Sequence, residues 1–393
     1  MGVPHLSDSD VIEETDDQRA LRQVVRKIVD GFGREYFQEA ARRGGFPDEL
    51  WNAMGEAGFL GVHISEEYGG GGAGLVELSI VLEETAAGGC PMQMIVISPT
   101  ICGSVLQDHG TAAQKEEWLH GIASGRRRMS FAITEPDAGT NTHNISTTAT
   151  PTADGWRLKG AKYWTSGVDE TEAVLVVARD GELSTPEKQH LSMFIVPTSA
   201  KGFSSQVIDS ALRAPERQFM TFYDDIELGP ESLVGERGAG ISQLFAGLNP
   251  ERVAAASLAN GISLYALRKA ADYANERTVW SQPIGAHQGV AHPLAEAYIG
   301  MQLARMMTRR AAELCDQGRD AGEAANIAKF ASADASLKAL DQAMQTHGGN
   351  GLSNEFGLSD LWFTARMLKT APVSREMILN YIGQHSLRLP KSY

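Results

Sequence analysis

An α+β multi-domain architecture is expected for this chain: an N-terminal α-helical domain, a middle antiparallel β-barrel-like domain and a C-terminal four-helix bundle. Three observations lead there. The 393 residues exceed the roughly 250–300 at which a single hydrophobic core stops growing. Hydrophobic periodicity is helical at both ends and changes to short β-prone runs in between. The residues are 42% hydrophobic and 21% charged, a globular composition that excludes disordered, collagen-like and coiled-coil chains. The expected boundaries are 1–128, 129–235 and 236–393.

In the first zone Val24, Val25, Ile28, Val29 and Phe32 draw an apolar stripe at helical spacing. Leu75–Glu84 and Thr111–Gly121 continue the helical pattern, with Thr111 placed to cap its helix. Between them, Gly69, Gly71 and Gly74 satisfy the G-x-G-x-x-G spacing. No strand precedes them and helical sequence follows, so a flexible surface turn is expected there rather than a dinucleotide site.

The second zone holds Ser130–Thr134, Ser146–Thr150, Ala173–Val177, Leu191–Val196 and Phe219–Tyr223, short β-prone runs separated by Gly, Pro, Asn and Asp clusters. No long helix intervenes, which points to an antiparallel barrel or sandwich. The third zone opens after Gly235-Glu-Arg-Gly-Ala-Gly240, read as a linker entering a helix. Asn249-Pro250-Glu251 reads as a helix start: an N-cap, a proline at the first helical position and an acid in the first turn. His292–Leu314, Ala321–His347 and Pro372–Ser386 supply three more helical patterns.

Several function classes fall away. The net charge of −14 argues against a nucleic-acid partner, and Arg126, Arg127 and Arg128 form too short a basic run to reverse that. The acidic start lacks a signal-peptide core, and Leu6 stands where a myristoylation motif has a hydroxyl residue. Apolar stretches such as Met92–Thr100 fall far short of the roughly 18–20 residues that span a bilayer. Cys90, Cys102 and Cys315 form neither a disulfide framework nor a zinc pattern. His287 and His292 lie five apart, on different helix faces, so no metal site is expected. A cytoplasmic protein without a membrane partner is the expectation.

Two segments carry chemistry. Phe131-Ala-Ile-Thr-Glu-Pro-Asp-Ala-Gly-Thr-Asn141 runs from a strand into Pro and Gly, freeing amides and the Thr134 and Thr140 hydroxyls. Such groups bind the polar edge of a planar heterocycle, and equally suit an ordinary strand-to-turn exit. Gly160-Ala-Lys-Tyr-Trp-Thr-Ser-Gly167 sets Trp164 beside Thr165 and Ser166. The indole could cover a ring whose edge the hydroxyls bond, or fill a core at a sheet end.

Thr134-Glu-Pro-x-Ala-Gly-Thr140, Lys162-x-Trp-Thr-Ser-Gly167, Tyr273-Ala-x-Glu-Arg277, His287-Gln288 and Gln345-x-x-Gly-Gly-Asn-Gly351 follow one another across almost the whole chain. Their order and spacing resemble the successive signatures of the acyl-CoA dehydrogenase family. The resemblance implies bound FAD, a homotetramer and fatty acid metabolism. The implied reaction is α,β-dehydrogenation of an acyl-CoA to the trans-2-enoyl-CoA, in which a carboxylate removes the α-proton and flavin N5 takes the β-hydride. Electrons would pass to an electron-transfer flavoprotein. Carried over, Phe131, Ile133 and Thr134 would hold the flavin, with Thr140 near both the flavin and the substrate's CoA arm. Trp164, Thr165 and Ser166 would flank the ring. Arg277, and Trp280 where the family usually has Phe, would reach the FAD of a neighbouring subunit together with His287 and Gln288. Gln345, Gly348 and Gly349 would meet the diphosphate and adenosine, and Ser374 and Glu376 resemble the late T-x-E/Q element.

The sequence departs from the family's common pattern at the base. Pro372 stands where most members place a glutamate, and proline accepts no proton. Leu248-Asn-Pro-Glu-Arg252 instead matches the L-x-x-E-R stretch of an isovaleryl-CoA dehydrogenase-like branch, which makes Glu251 the candidate base. Its helix-start position is also one the helix dipole favours for any acid, and the dipole would lower its pKa. Arg252 would assist the CoA phosphates or pantetheine, or serve as a solvated helix-face arginine. An oxidase-like flavoenzyme and a catalytically silent FAD- or acyl-CoA-binding subunit are the rival readings.

Overall fold

The structure is a computed structural model that describes residues 6–8, 11–185 and 188–391. Residues 1–5, weighed above for a leader or acylation signal, lie outside the described residues. The first zone folds as α1 (Asp16–Asp30), α2 (Gly33–Arg43), α3 (Asp48–Glu56), α4 (Leu75–Ala87), α5 (Gln93–Ile95), a π-helical stretch Val96–Gly103, α6 (Ser104–His109) and α7 (Ala112–Ala123). The expected stripe lies on α1, where Val25 and Val29 are buried and Val24 is exposed. Thr111 does cap α7: its hydroxyl accepts from the Gln114 amide at 3.2 Å while Gln114 accepts from the Thr111 amide at 2.9 Å.

The glycine-rich segment is a surface turn as expected, with Gly69, Gly71 and Gly72 exposed, but other glycines in it are closely packed. A Cβ added at Gly70 would lie 2.1 Å from the Ile64 carbonyl oxygen, and one at Gly74 2.3 Å from the Asp316 carboxylate. That carboxylate accepts from the first amides of α4, Leu75 at 2.6 Å and Val76 at 3.1 Å, so a side chain from far along the chain closes the helix end. Glycine is used here for close approach, which composition alone does not distinguish from looseness.

The middle zone is an eight-stranded sheet: β1 (Met129–Ala132), β2 (Thr148–Thr152), β3 (Gly155–Ser166), β4 (Ala173–Asp180), β5 (Leu191–Pro197), β6 (Phe203–Val207), β7 (Gln218–Leu228) and β8 (Leu233–Val234). The order is β6-β7-β3-β2-β4-β5-β8, with β1 on β4. Most pairings are antiparallel, as expected, but β1 and β2 both run parallel to β4. They share one edge of it: Ala132 pairs with Val176, and Thr148 pairs with Arg179. The chain between them therefore leaves the sheet and returns only three β4 residues further on, and this excursion carries the Thr134–Thr140 motif.

The third zone comprises α8 (Gly240–Glu276), a hairpin of β9 (Thr278–Val279) and β10 (Gln282–Pro283), α9 (Gln288–Asp316), α10 (Gly322–His347), α11 (Trp362–Met367) and α12 (Arg375–Tyr381), continued by a π-helical turn Ile382–Ser386. Three long helices, with the β9–β10 hairpin and the shorter α11 and α12 segments, make up this zone. The last helical pattern is shorter than expected, because Ser374 caps α12 and leaves Pro372 outside it. The largest correction concerns Asn249-Pro250-Glu251. It opens no helix: α8 starts at Gly240 and passes through Pro250. The Asn249 side chain bonds the Arg252 guanidinium at 2.7 Å instead of the backbone. Packing overrides the local signal, since Leu244 and Gly247 are buried and a Cβ at Gly247 would stand 3.0 Å from the Ile101 carbonyl oxygen.

A buried charge cluster joins the first and third zones. Glu83 on α4 accepts from Arg22 on α1 at 2.9 Å and from Arg305 on α9 at 2.7 Å. Burial would raise the Glu83 carboxyl, but Arg305 and Arg22 overcome it and hold it at about 2. Among the described residues no helix is long and apolar enough to cross a membrane. Glu83→Ala leaves the buried Arg305 without its carboxylate, while Arg22 keeps Glu84 at 2.6 Å and Glu14 at 2.5 Å; it should cost about 3–5 kcal/mol and lower the thermal midpoint measurably. An unchanged midpoint in differential scanning calorimetry would contradict this role.

Candidate functional site

The two chemistry-bearing segments are clipped together by a buried ion pair. Lys162 on β3 is fully buried; its Nζ donates to Glu135 at 2.8 Å and to the Ile133 carbonyl at 2.9 Å. Glu135 also accepts from the Ser146 amide at 2.7 Å, the Ser146 hydroxyl at 2.6 Å and the Thr147 amide at 2.9 Å. Burial opposes ionisation of Glu135, but Lys162 and then the Ser146 and Thr147 donors hold its carboxyl at about 2. Burial pushes the Lys162 ammonium down to about 8 against the Glu135 charge. The Tyr163 amide donates to the Thr134 carbonyl at 2.8 Å, and Ser130 Oγ to the Ser166 carbonyl at 2.9 Å. One pair thus pins both ends of the excursion between β1 and β2 against β3.

Trp164 sits at a bulge, where the β3–β7 register shifts between Lys162 and Thr165. Its φ is +61°, a left-handed conformation rare outside glycine, and its indole is 45% exposed. The bulge turns the ring out of the sheet, which favours the ring-covering reading over a core tryptophan. Thr134 is half-buried with a hydroxyl that makes no hydrogen bond among the described residues, Phe131 and Ile133 are half-buried, and Thr140 is exposed. Thr165 is a correction: its hydroxyl faces into the sheet, fully buried against the Thr221 hydroxyl at 3.3 Å, and is not offered to a ligand. The Ser166 hydroxyl donates to Gln218 at 2.8 Å.

Glu251 lies well inside α8, half-buried, with no hydrogen bond or ion pair among the described residues. The helix dipole therefore does not govern it. Burial pushes its carboxyl up to about 7, against the opposing pull of Arg252 and then Lys329. Arg252 is not a solvated arginine: its guanidinium lies 6.0 Å from the centroid of the Phe245 ring, and its Nε is buried without a partner. Lys329 on α10 donates to the Val373 carbonyl at 2.6 Å, which ties the turn bearing Pro372, and with it Ser374 and Glu376, to the Glu251 neighbourhood. The π-helical stretch joins this region to the β1 end. The Met129 amide donates to Ser98 at 3.1 Å, and Cys102, whose thiol contacts the Met129 and Ser130 carbonyls at 3.7 and 3.6 Å, feels the Glu251 charge.

Arg277, Trp280, His287 and Gln288 stand elsewhere. From Glu251 to the end of α8 is roughly 37 Å at 1.5 Å per residue. Arg277 and Trp280 are exposed there, Trp280 at 85%, and Gln288 is exposed at the start of α9. Gln345, Gly348 and Gly349 lie at the same end, since the His347 ring stacks on Tyr273 of α8 at 4.2 Å. This end suits a large polar ligand: His287 Nε2 is a buried atom without a partner, and no atom lies within 4 Å of a Cβ added at Gly348 or Gly349. The structure thus separates the expected cofactor residues into two groups that one chain does not bring together.

Glu135, Lys162 and Lys329 were missed in the sequence. The first two lie inside the quoted motifs, where an acid and a base in neighbouring strand-end segments were the available signal; Lys329 offered only a lone lysine in an alanine-rich helix. Lys162→Met leaves Glu135 buried and unpaired, and should loosen the excursion by about 3 kcal/mol. Hydrogen exchange at the Ser146 and Thr147 amides should quicken roughly a hundredfold; unchanged exchange would contradict the clip.

Three family models match the chain in order: the acyl-CoA dehydrogenase N-terminal domain over residues 15–126, the middle domain over 130–221 and the C-terminal domain over 238–387. The chain is 51% identical over 382 residues to the acyl-CoA dehydrogenase FadE12 of Mycobacterium tuberculosis, covering 97% of this chain and 98% of that one. It is 27% identical over 375 residues to the mitochondrial isovaleryl-CoA dehydrogenase of Pongo abelii, covering 94% and 88%. The solved complex of glutaryl-CoA dehydrogenase with glutaryl-CoA is similar at a TM-score of 0.92 and 26% identity, covering 97% and 98%. With all three domain models in register on the observed helical, sheet and helical zones, the chain belongs to the acyl-CoA dehydrogenase family of FAD-dependent enzymes.

Proposed function

We propose that this chain dehydrogenates an acyl-CoA thioester to the trans-2-enoyl-CoA with Glu251 as the base. The observation that carries the reading is the half-buried Glu251 carboxylate, without a hydrogen bond among the described residues and pushed up to about 7, in a chain whose usual base position is Pro372. A carboxylate that spends its lone pairs on protein donors is a weak base; one held back by burial alone takes a proton readily near neutrality.

FAD, when bound, supplies the acceptor for the β-hydride. The remaining work falls to this chain. Glu251 takes the α-proton on a carboxylate oxygen, and Arg252 beside it offsets its charge. Phe131, Ile133, Thr134 and Trp164 offer half-exposed faces for the ring, and the Glu135–Lys162 clip keeps them in place, which lowers the entropy of assembling the site. Arg277, Trp280, His287, Gln288, Gln345, Gly348 and Gly349 serve the flavin of a neighbouring subunit, because the length of α8 puts them out of reach of their own Glu251. A homotetramer also covers Ile299, Leu303 and Met306, exposed at helical spacing on α9. An electron-transfer flavoprotein as acceptor and a cytoplasmic setting belong to the same proposal.

Anaerobic bleaching of the flavin by straight-chain, branched, aromatic and steroid-derived acyl-CoAs tests it. At equal FAD content Glu251→Gln should slow bleaching by about 10²–10⁴-fold. In the wild type kcat/KM should rise with pH through about 7, because only the deprotonated carboxylate accepts the proton. Equal bleaching by both proteins sinks the base assignment. Bleaching by no acyl-CoA favours the silent subunit, and rapid reoxidation by air favours the oxidase-like enzyme.

A further inference from the structure

Glu216, in the loop before β7, is 1% exposed and forms no ion pair among the described residues. Its Oε1 accepts from the Met94 amide at 3.0 Å. That amide lies in the first turn of a helix that runs unbroken from Gln93 to His109, through α5, the π-helical stretch and α6. Met92, just before it, offers the turn no side-chain acceptor, so an acid far along the chain closes the helix end. The backbone around that acid is bound to the segment that bears Trp164. The Gln218 side chain donates to the Glu216 carbonyl at 3.1 Å and accepts from the Ser166 hydroxyl at 2.8 Å, and the Gly167 amide donates to the Arg217 carbonyl at 2.7 Å. The joint is tight, since a Cβ added at Gly167 would lie 2.6 Å from the Met94 side chain.

We propose that Glu216 is a positioning residue for the reaction: it ties the ring-flanking segment 164–167 to the start of the helix whose π-helical stretch seats α8, and so sets the flavin face against Glu251. The far end of that path is the contact of Gly247 with Ile101, one turn before Glu251 on α8. The inference rests on Trp164 flanking the flavin and on Glu251 acting as the base. Burial pushes the Glu216 carboxyl up to about 7 against the Met94 amide, and its Oε2 is buried without a partner. Protonated on Oε2, the acid keeps Oε1 for Met94, so the joint holds in both charge states. Burying a carboxyl with so few donors opposes folding, so stability alone does not account for an acid here.

The test compares Glu216→Leu, which removes the acceptor, with Glu216→Gln, which keeps an oxygen for Met94. Glu216→Leu should quicken hydrogen exchange at the Gly167 amide roughly tenfold, with or without FAD, while the Ser146 and Thr147 amides held by Glu135 exchange as in the wild type. At equal FAD content and saturating acyl-CoA it should slow bleaching by about 10–100-fold. Exchange of the α-proton of a 3-thia-acyl-CoA, which needs the base but no hydride acceptor, should stay at the wild-type rate. Glu216→Gln should restore both Gly167 protection and bleaching. Unchanged exchange at Gly167, unchanged bleaching, bleaching and α-proton exchange slowed by one factor, or a Glu216→Gln protein that behaves as Glu216→Leu overturns the positioning role. Bleaching that survives Glu251→Gln is a separate failure and sinks the base assignment instead.

Discussion

The close packing of α8 against the π-helical stretch is the constraint on which the rest of the site depends. Gly247 brings the helix so near Ile101 that even a methyl group would be crowded, and Leu244 buries itself on the same face. These contacts carry the helix through Pro250, which donates no amide to the turn before it. Glu251 consequently stands in mid-helix and half-buried rather than at an exposed helix start. The same stretch contacts the end of β1 through Ser98 and Cys102, so the acid and the start of the Thr134–Thr140 excursion are referred to one piece of backbone.

Much of this was legible in the residues. Helical stripes, the Thr111 cap and the β-prone runs predict the succession of helices, sheet and helices because each depends on neighbours in the chain. The motifs marked the two segments that the Glu135–Lys162 pair brings together. What failed depended on partners far away in sequence. Asn249-Pro250-Glu251 carries every local mark of a helix start, and the contacts that overrule it come from Ile101 and Val105. The parallel pairing of β1 and β2 along β4 has no local signature, and the close packing of the glycine-rich turn comes from Ile64 and Asp316. Thr165 was misassigned because a single bulge at Trp164 decides which hydroxyl faces inward.

Charge shows the same division between composition and place. A net charge of −14 describes the surface, yet the deep polar groups include the cations Lys162, Lys329 and Arg305. Lys162 fixes loops and Arg305 joins zones, both through short bonds to carboxylates held near pH 2. Lys329 makes no such bond, its Nζ donating to the Val373 carbonyl, and Glu251 has no hydrogen bond or ion pair among the described residues. These structural carboxylates and the proposed base are thus told apart by whether the carboxylate is satisfied.

The central claim is that Glu251, in place of an acid at Pro372, takes the α-proton. Deuterium incorporation from heavy water at the α-carbon of a 3-thia-acyl-CoA, which loses that proton but offers no β-hydride, isolates this step from oxidation. Wild-type protein should exchange the α-proton, and Glu251→Gln with the same FAD content should lose the exchange. Exchange persisting in Glu251→Gln at the wild-type rate would contradict the account.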